Sequence, residues 1–448
     1  MLSVAKSVAL ETDSRSPSQK SSLRVRRLTG LRAALVAANM AVESVTLGID
    51  LGTTSVKAAL LEAAPGQPSG FMVLASCART SRADAESNVA VPQGREQDVS
   101  RIIRALNECL AALPQKQLQK VGAIGVSGQM HGVVLWKTGQ GCEWMQGGSA
   151  SMFEARAVSH LVTWQDGRCS SEFLASLPQP SSHLSVATGF GCATIFWLLK
   201  NSPELLQSYN AAGTIQDYVV AMLCGLRRPL MSDQNAASWG YFNTQSQSWN
   251  LEILRSSGFP VHLLPDIAQP GSAAGRTSHM WFEIPKGTQV GVAMGDLQAS
   301  VYSCMGQKTD AGLEVEETTV YSRMIHAAVQ QRDTCLTITP TVLGERHLPD
   351  QLASVTRISS SDLSLGHVTR ALCRGIVQNL HSMLPFQQLK EWGVEHVMGC
   401  GSALSRNEVL KQEVQRAFPL PVSFGQDVDA AVGAALIMLK RNLNQMDS

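Results

Sequence analysis

The stretch Val45-Thr46-Leu47-Gly48-Ile49-Asp50-Leu51-Gly52-Thr53-Thr54-Ser55-Val56-Lys57 decides how the rest of the chain reads. Val45 to Ile49 is a short apolar run, and Val56 to Leu61 is a second. The pattern predicts strand, tight turn, strand. Between the runs sit a carboxylate, a glycine and three hydroxyls. Gly52 lets the backbone approach an anion closely. Backbone N–H groups and the hydroxyls of Thr53, Thr54 and Ser55 can donate to phosphate oxygens. Asp50, at the strand end, can hold Mg²⁺ directly or through water, because phosphate-bound Mg²⁺ usually needs only one or two carboxylates. An ordinary β-hairpin with a polar turn is the plain alternative.

Composition narrows the function classes. The chain has 448 residues, enough for two or three domains with large cores. A net charge of +1 and 16% charged residues give no general case for nucleic-acid or membrane binding. No apolar run reaches the eighteen or more residues of a spanning helix. The ten cysteines are scattered without a Cys-x-x-Cys pair, which fits a reduced, cytoplasmic protein better than a disulfide framework.

Residues 1–44 differ from the rest, with seven Lys/Arg against three acids and many serines. An Arg- and Ser-rich leader of this kind can be a transit peptide. Glu11, Asp13 and the missing amphipathic stripe favour a disordered extension. Met40, just ahead of Val45, is then the expected usual start.

From Val45 to about Val301 strands and helices alternate. Phe71 to Cys77 completes a three-strand meander, and Gln97 to Leu113 is an amphipathic helix with Ile102, Ile103, Leu106 and Leu110 on one side. Val121 to Ser127 reads as a fully buried strand. It ends in Ser127-Gly128-Gln129-Met130-His131-Gly132, and polar groups at the carboxyl end of such a strand usually face a ligand crevice. Thr163-Trp164-Gln165-Asp166-Gly167-Arg168 offers an apolar ring face for sugar C–H groups and a carboxylate for hydroxyls; a solvated loop is the alternative. Asp217 reads as the cap of the helix Val219 to Cys224. Ser232 to Ser238 carries only a weak signal, and Leu263 to Thr277 reads as loop. Thr288 to Met294 is a buried strand running into Gly295-Asp296-Leu297-Gln298, with Asp296 where strand meets helix.

Together these motifs resemble the FGGY family of carbohydrate kinases, within the sugar kinase/actin/Hsp70 ATPase fold, and among them the pentulose and heptulose kinases. No Gly-x-x-x-x-Gly-Lys-Ser/Thr loop is present to argue for another nucleotide fold. The resemblance covers Val45 to about Leu443. It implies an α/β, two-domain actin/hexokinase/Hsp70-like (ribonuclease H-like) ATPase fold, with an N-terminal domain at 45–300 and a C-terminal domain at 301–448. It implies ATP and Mg²⁺ as cofactors and a small ketose, most closely a ketoheptose, as substrate. Asp296 would be the base that takes the acceptor hydroxyl proton, and Asp50 would position the metal. Gly52, Thr53, Thr54, Ser55 and Lys57 would hold phosphates. Gln129, Met130, His131, Trp164 and Asp166 would shape the ketose site. His396 to Cys400, then Gly401 and Ser402, is a strand and Gly-rich turn; Gly399, Gly401, Ser402 and Asn407 would border the nucleotide, with Ser405 and Glu408 capping the next helix.

The second domain departs from the family pattern. After Asp296 a strand, a hydroxyl turn and another strand are expected to face the first hairpin. Instead Cys304 to Gly312 runs into Leu313 to Val329, which reads as an amphipathic helix. Thr318 and Thr319 would lie inside it. A block of several dozen residues is therefore expected to be absent after Gly312, leaving open edges and impaired turnover. A pentulose kinase and a non-catalytic splice product stay open as alternatives. Beyond the gap the family order resumes: Leu336 to Pro340 and Gly344 to Arg346, a helix from Asp362 to Leu384 with Val368, Leu372, Ile376 and Leu380 as its stripe, a strand at Val422 to Phe424, and a closing small-residue helix from Asp427.

Overall fold

The computed structural model describes residues 45–446 apart from 65–69, 88–90, 92, 148–149, 183–184, 305–309, 315–324, 326, 332, 342–351, 402–403, 405–406 and 426–429. Residues 1–44, Thr318, Thr319, Gly344 to Arg346, Ser402 and Ser405 thus lie outside the described residues. The chain forms two compact units, one running to Ala299 and resuming at Ala430, the other spanning Ser300–Asp429.

The first unit is built on one sheet. β1 (Val45–Leu51), β2 (Ser55–Ala63) and β3 (Phe71–Thr80) form the expected antiparallel meander. β4 (Val121–Gly128), β5 (Ala273–Arg276), β6 (Gln289–Gly291) and β7 (Met294–Gly295) complete it, in the order β5-β6-β4-β1-β2-β3, with β7 also on β4. β1 and β4 are parallel, and their apolar character follows from burial on both faces. α1 (Val99–Ala112) follows the meander, capped by Asp98, whose carboxylate accepts from Ser100 N at 2.8 Å. Its stripe Ile102, Ile103, Leu106 and Leu110 is buried as its spacing predicts. The stretch Leu263 to Thr277 is not all loop. Asp266–Ala268 and β5 are strands within it, because pairing with neighbouring strands overrides the local Gly, Ser and Pro content.

The last helix, α7 (Ala430–Met446), returns to the first unit instead of staying with the second, which moves the expected boundary. Glycines decide this contact. A Cβ on Gly48 would stand 1.7 Å from Ala431 O, one on Gly125 2.0 Å from Ala434 O, and one on Gly433 1.8 Å from Ala299 O. Only glycine lets two backbones meet this closely.

The second unit holds a parallel sheet of β8 (Asp310–Glu314), β9 (His396–Cys400) and β10 (Val422–Phe424), with β9 central. β8 corrects the expected helix, since Leu313 and Glu314 lie in a strand; helix is described only at 325 and 327–329. The 3.6-residue pattern that starts at Val315 masked a short strand set by pairing with β9. α5 (Leu365–Met383) begins at the Ser364 cap rather than at Asp362. Its buried stripe runs one or two positions off the expected one, through Gly366, Arg370, Cys373 and Val377. Arg370 is carried inside by Glu413, 2.6 Å away, on α6 (Glu408–Ala417). The expected stripe of Val368, Leu372, Ile376 and Leu380 is only half-buried. Nearby Leu352, Val355, Ile358, Leu363 and Leu365 are exposed. No helix among the described residues is long and apolar enough to cross a membrane.

Gly48→Ala forces a methyl into the Ala431 carbonyl and should cost about 3 kcal/mol. Chemical denaturation checks this, and a loss under about 0.5 kcal/mol, the range of neutral surface changes, contradicts the α7 packing.

Candidate functional site

Strand register gathers the chemistry of the first unit. Asp50 pairs with Ser127 and Leu51 with Gly128 across β1 and β4, while Met294 pairs with Ser127 and Gly295 with Gly128 across β7 and β4. Asp50, Gln129 and Asp296 therefore emerge at three neighbouring carboxyl ends. Asp50 and Asp296 are two strand spacings apart, roughly 10 Å. Asp50 is nearly buried, and its Oδ1 lies 3.3 Å from Ser127 Oγ. Lys57 sits directly opposite Asp50 in the antiparallel pair, so both point to one face. Asp296 opens α4 (Asp296–Cys304) and is partly exposed; its Oδ1 accepts from Leu297 N at 2.8 Å.

The hydroxyl turn is held from the site side. Gln97 Nε2 donates to Thr53 O at 2.7 Å, and Trp164 Nε1 donates to Thr53 Oγ1 at 3.0 Å. Gln129 Nε2 donates to Gln97 Oε1 at 3.0 Å, and Gln129 N to Leu51 O at 3.0 Å. The turn and the Gln-Met-His segment are thus one hydrogen-bonded body. Thr54 is exposed and Gly52 and Ser55 partly so.

His131 adopts φ +69°, which a non-glycine residue rarely does without a reason. Its Nδ1 lies 2.9 Å from Ser238 O, and its ring stacks on Phe190 at 4.9 Å. Gly132 N donates back to Met130 O at 2.8 Å, closing a three-residue turn. Met130 packs on Gly295, where an added Cβ would meet its Sδ at 2.5 Å. The glycine before Asp296 therefore makes room for Met130. Asn235 is fully buried in the helix α3 (Asp233–Ser238), whose cap is Ser232.

Asp166 lies inside a buried charged network. It is 0% exposed, and its oxygens accept from Arg95 N at 2.8 Å and from Arg168 N, Nε and Nη2 at 3.0, 2.8 and 3.0 Å. Arg168 Nη2 also reaches Glu96 Oε1 at 2.7 Å, and His160 Nδ1 lies 3.1 Å from Glu96 Oε2. The carboxylate ties Arg95 to the Asp166–Arg168 loop that follows Trp164. Burial works to raise the Glu96 pKa, yet bonds from Ser87, Arg168 and His160 with the Arg168 charge hold it below its usual value. A cavity of about 160 Å³ lies over this network, walled by Val133, Leu135 and Leu198. None of the expected site residues except Asp166's partner loop borders it.

Asp217 is the third residue of α2 (Ile215–Cys224), not its cap. Thr214 caps the helix, and Asp217 closes the box by accepting from Thr214 N at 2.9 Å. Burial lifts the Asp217 carboxyl to about 7. In the second unit Gly401 has φ +96°, and Gly399 leaves no room for a Cβ, which would meet Phe424 at 2.6 Å. Asn407, rather than Ser405, caps α6, accepting from Leu410 N at 3.0 Å; its Nδ2 faces Cys373 Sγ at 3.7 Å. Both its polar atoms have partners inside the unit.

Gln97 was not singled out by sequence reasoning. A Glu-Gln pair before a helix cap looks like ordinary helix entry, and only the spatial meeting with Thr53 and Gln129 distinguishes it.

Residues 45–302 match the N-terminal domain of the FGGY family of carbohydrate kinases. The chain is 73% identical to human sedoheptulokinase over 478 residues, covering 91% of this chain and 100% of that protein. Among solved structures it is similar to xylulose kinase from Rhodospirillum rubrum, with TM-score 0.67, 16% identity, and 88% and 89% of the two chains covered. It is also similar to Plasmodium falciparum glycerol kinase with ADP, with TM-score 0.68, 15% identity, and 90% and 91% covered. The human alignment runs over 478 positions, while 91% of 448 residues is about 408, so about 70 residues of that relative face no residue here.

Arg168→Met leaves Asp166 and Glu96 buried without their counter-charge and should cost about 3–5 kcal/mol at pH 7. Because Glu96 is held low when folded, its stabilisation is present above its unfolded value near 4.5 and fades as pH falls through its folded value. The variant's deficit should shrink in acid, as denaturation at pH 7 and pH 4 would show; an equal deficit at both contradicts the charge account.

Proposed function

The chain belongs to the FGGY family of carbohydrate kinases, and from that premise we propose that it phosphorylates a seven-carbon ketose, converting sedoheptulose and ATP to sedoheptulose 7-phosphate and ADP. It is a phosphotransferase with an alcohol group as acceptor. The observation that carries the substrate is the 73% identity to sedoheptulokinase across all of that protein's length. The shared register that aligns Asp50, Gln129 and Asp296 supports the chemistry.

Asp296 is the proposed base. It takes the proton of the acceptor hydroxyl as that oxygen bonds to the γ-phosphorus and the bond to the β-phosphate bridge breaks. Thr53, Thr54, Ser55 and Lys57 are the proposed partners of phosphate oxygens, with Gly52 allowing close approach. Gln129, Met130, His131 and Trp164 shape the ketose side. Among the described residues no group of three or more His, Cys, Asp or Glu could hold a metal ion by itself. The donor set fits Mg²⁺ shared between Asp50 and nucleotide phosphates. The ion, when bound, neutralises charge developing on the transferred group. Gly399, Gly401 and Ser402 are the proposed nucleotide border in the second unit. The unpaired buried thiols of Cys109, Cys169 and Cys192 fit the proposed cytoplasmic location.

A second reading is a form that binds sugar without turning over. The roughly 70 unmatched residues of the human relative favour it, as does the half-covered apolar stripe of α5.

Incubation with ATP and a panel of sedoheptulose, xylulose and ribulose, read by mass of the sugar phosphate, separates these readings. Sedoheptulose should give the most product; a pentulose preferred over it overturns the assignment, and no product from any ketose favours the second reading. In an active chain Asp296→Asn should lower turnover about 10²–10⁴-fold with little change in stability. Unchanged turnover would place the base elsewhere.

A further inference from the structure

Asp296 is carried by very little sheet. β7 contains two residues, both paired to β4, and Val292 and Ala293 separate it from β6. Phosphoryl transfer depends on positioning, and an error near 1 Å can cost on the order of 10²-fold in rate. Something else must hold the end of β7 against the end of β4.

Gln216, the second residue of α2, is 0% exposed and lies across this seam. Its Nε2 donates to Gly128 O at 3.1 Å and, more weakly, to Met294 O at 3.5 Å. Gly128 immediately precedes Gln129-Met130-His131, and Met294 stands two residues before Asp296. The amide orientation is dictated, because the reverse would set its oxygen against two carbonyl oxygens. That orientation leaves Gln216 Oε1 buried without a partner among the described residues. An unmet buried acceptor costs about 1–3 kcal/mol, so simple filling of space does not account for this side chain. Gly128 accommodates it, since a Cβ there would meet Gln216 Oε1 at 2.8 Å.

We propose that Gln216 is a positioning residue that ties the ketose-contacting turn to the strand carrying the base. The proposal rests on the kinase reading for its functional consequence, but its structural core does not. Gln216 touches neither substrate nor reacting atoms; it acts through Gly128 and Met294. α2 is anchored for this task by the Thr214–Asp217 box at its start.

The test compares the 448-residue chain with Gln216→Met, which keeps size and removes the donor, and Gln216→Asn, whose amide stops one methylene short. Hydrogen exchange is followed across peptides covering 126–132 and 292–299, with sedoheptulose affinity by calorimetry. Losing both bonds should speed local exchange and weaken sedoheptulose binding, each about tenfold, with Asn intermediate and ATP affinity unchanged. Where the chain turns over, kcat should fall more than KM for ATP changes. Unchanged exchange in both segments overturns the proposal, and so does loosening spread evenly over the chain. If Gln216→Met does not fold, Gln216→Asn alone decides by the same local criterion. Local loosening in a chain whose wild type binds no sedoheptulose would sink the substrate reading and leave the tie standing. Sedoheptulose phosphorylation with no local effect would do the reverse.

Discussion

The close contact of α7 with the central sheet is the constraint on which the first unit depends. Gly48 on β1 and Gly125 on β4 meet the backbone of Ala431 and Ala434 at distances that no side chain allows. They stand at partnered positions, since Gly48 pairs with Gly125. The two parallel strands are thereby fixed in height under one helix, and their carboxyl ends finish level. Ser127 Oγ, 3.2 Å from Ala430 O and 3.3 Å from Asp50 Oδ1, brings the helix start beside the Asp50 carboxylate. A segment more than three hundred residues later in the chain thus shapes the entrance of the first hairpin.

From that level line the site assembles by short steps. The hydroxyl turn is bound to Gln129 through Gln97 and to Trp164 directly, so the proposed phosphate and sugar groups are not independent. The buried Asp166–Arg168–Glu96 network supports Trp164 from behind. Such a network contributes mainly by being complete, because removing one charge strands the others. The second unit is less well closed. Its sheet has β8 and β10 at its edges, its longest described helix shows a half-covered apolar stripe, and exposed Leu352, Val355 and Ile358 lie nearby. An apolar surface of this kind is what loss of about 70 residues from a relative's length would leave.

Much of this is legible in the sequence. The meander, the buried strand into Gln129-Met130-His131 and the Gly295-Asp296 junction all carry local signals, from apolar runs bounded by turn chemistry. What the sequence does not show has non-local causes. Asp166 looks like a loop carboxylate until Arg95, Arg168 and Glu96 close around it. Asn407 and Thr214 take caps assigned to Ser405 and Asp217 because capping depends on backbone geometry as well as residue type. Arg370 turns α5 by one or two positions because a paired charge can be buried where hydrophobicity alone predicts otherwise. Gln97 and Gln216 carry no local signal, and both matter through strands far away in sequence.

The proposed ketose site is built from strand ends of the first unit alone. Titration of sedoheptulose into the 448-residue chain without nucleotide, followed by calorimetry, tests it most directly. Saturable one-to-one binding is predicted whether or not the chain turns over ATP. A flat titration, with the protein folded by circular dichroism, would contradict it.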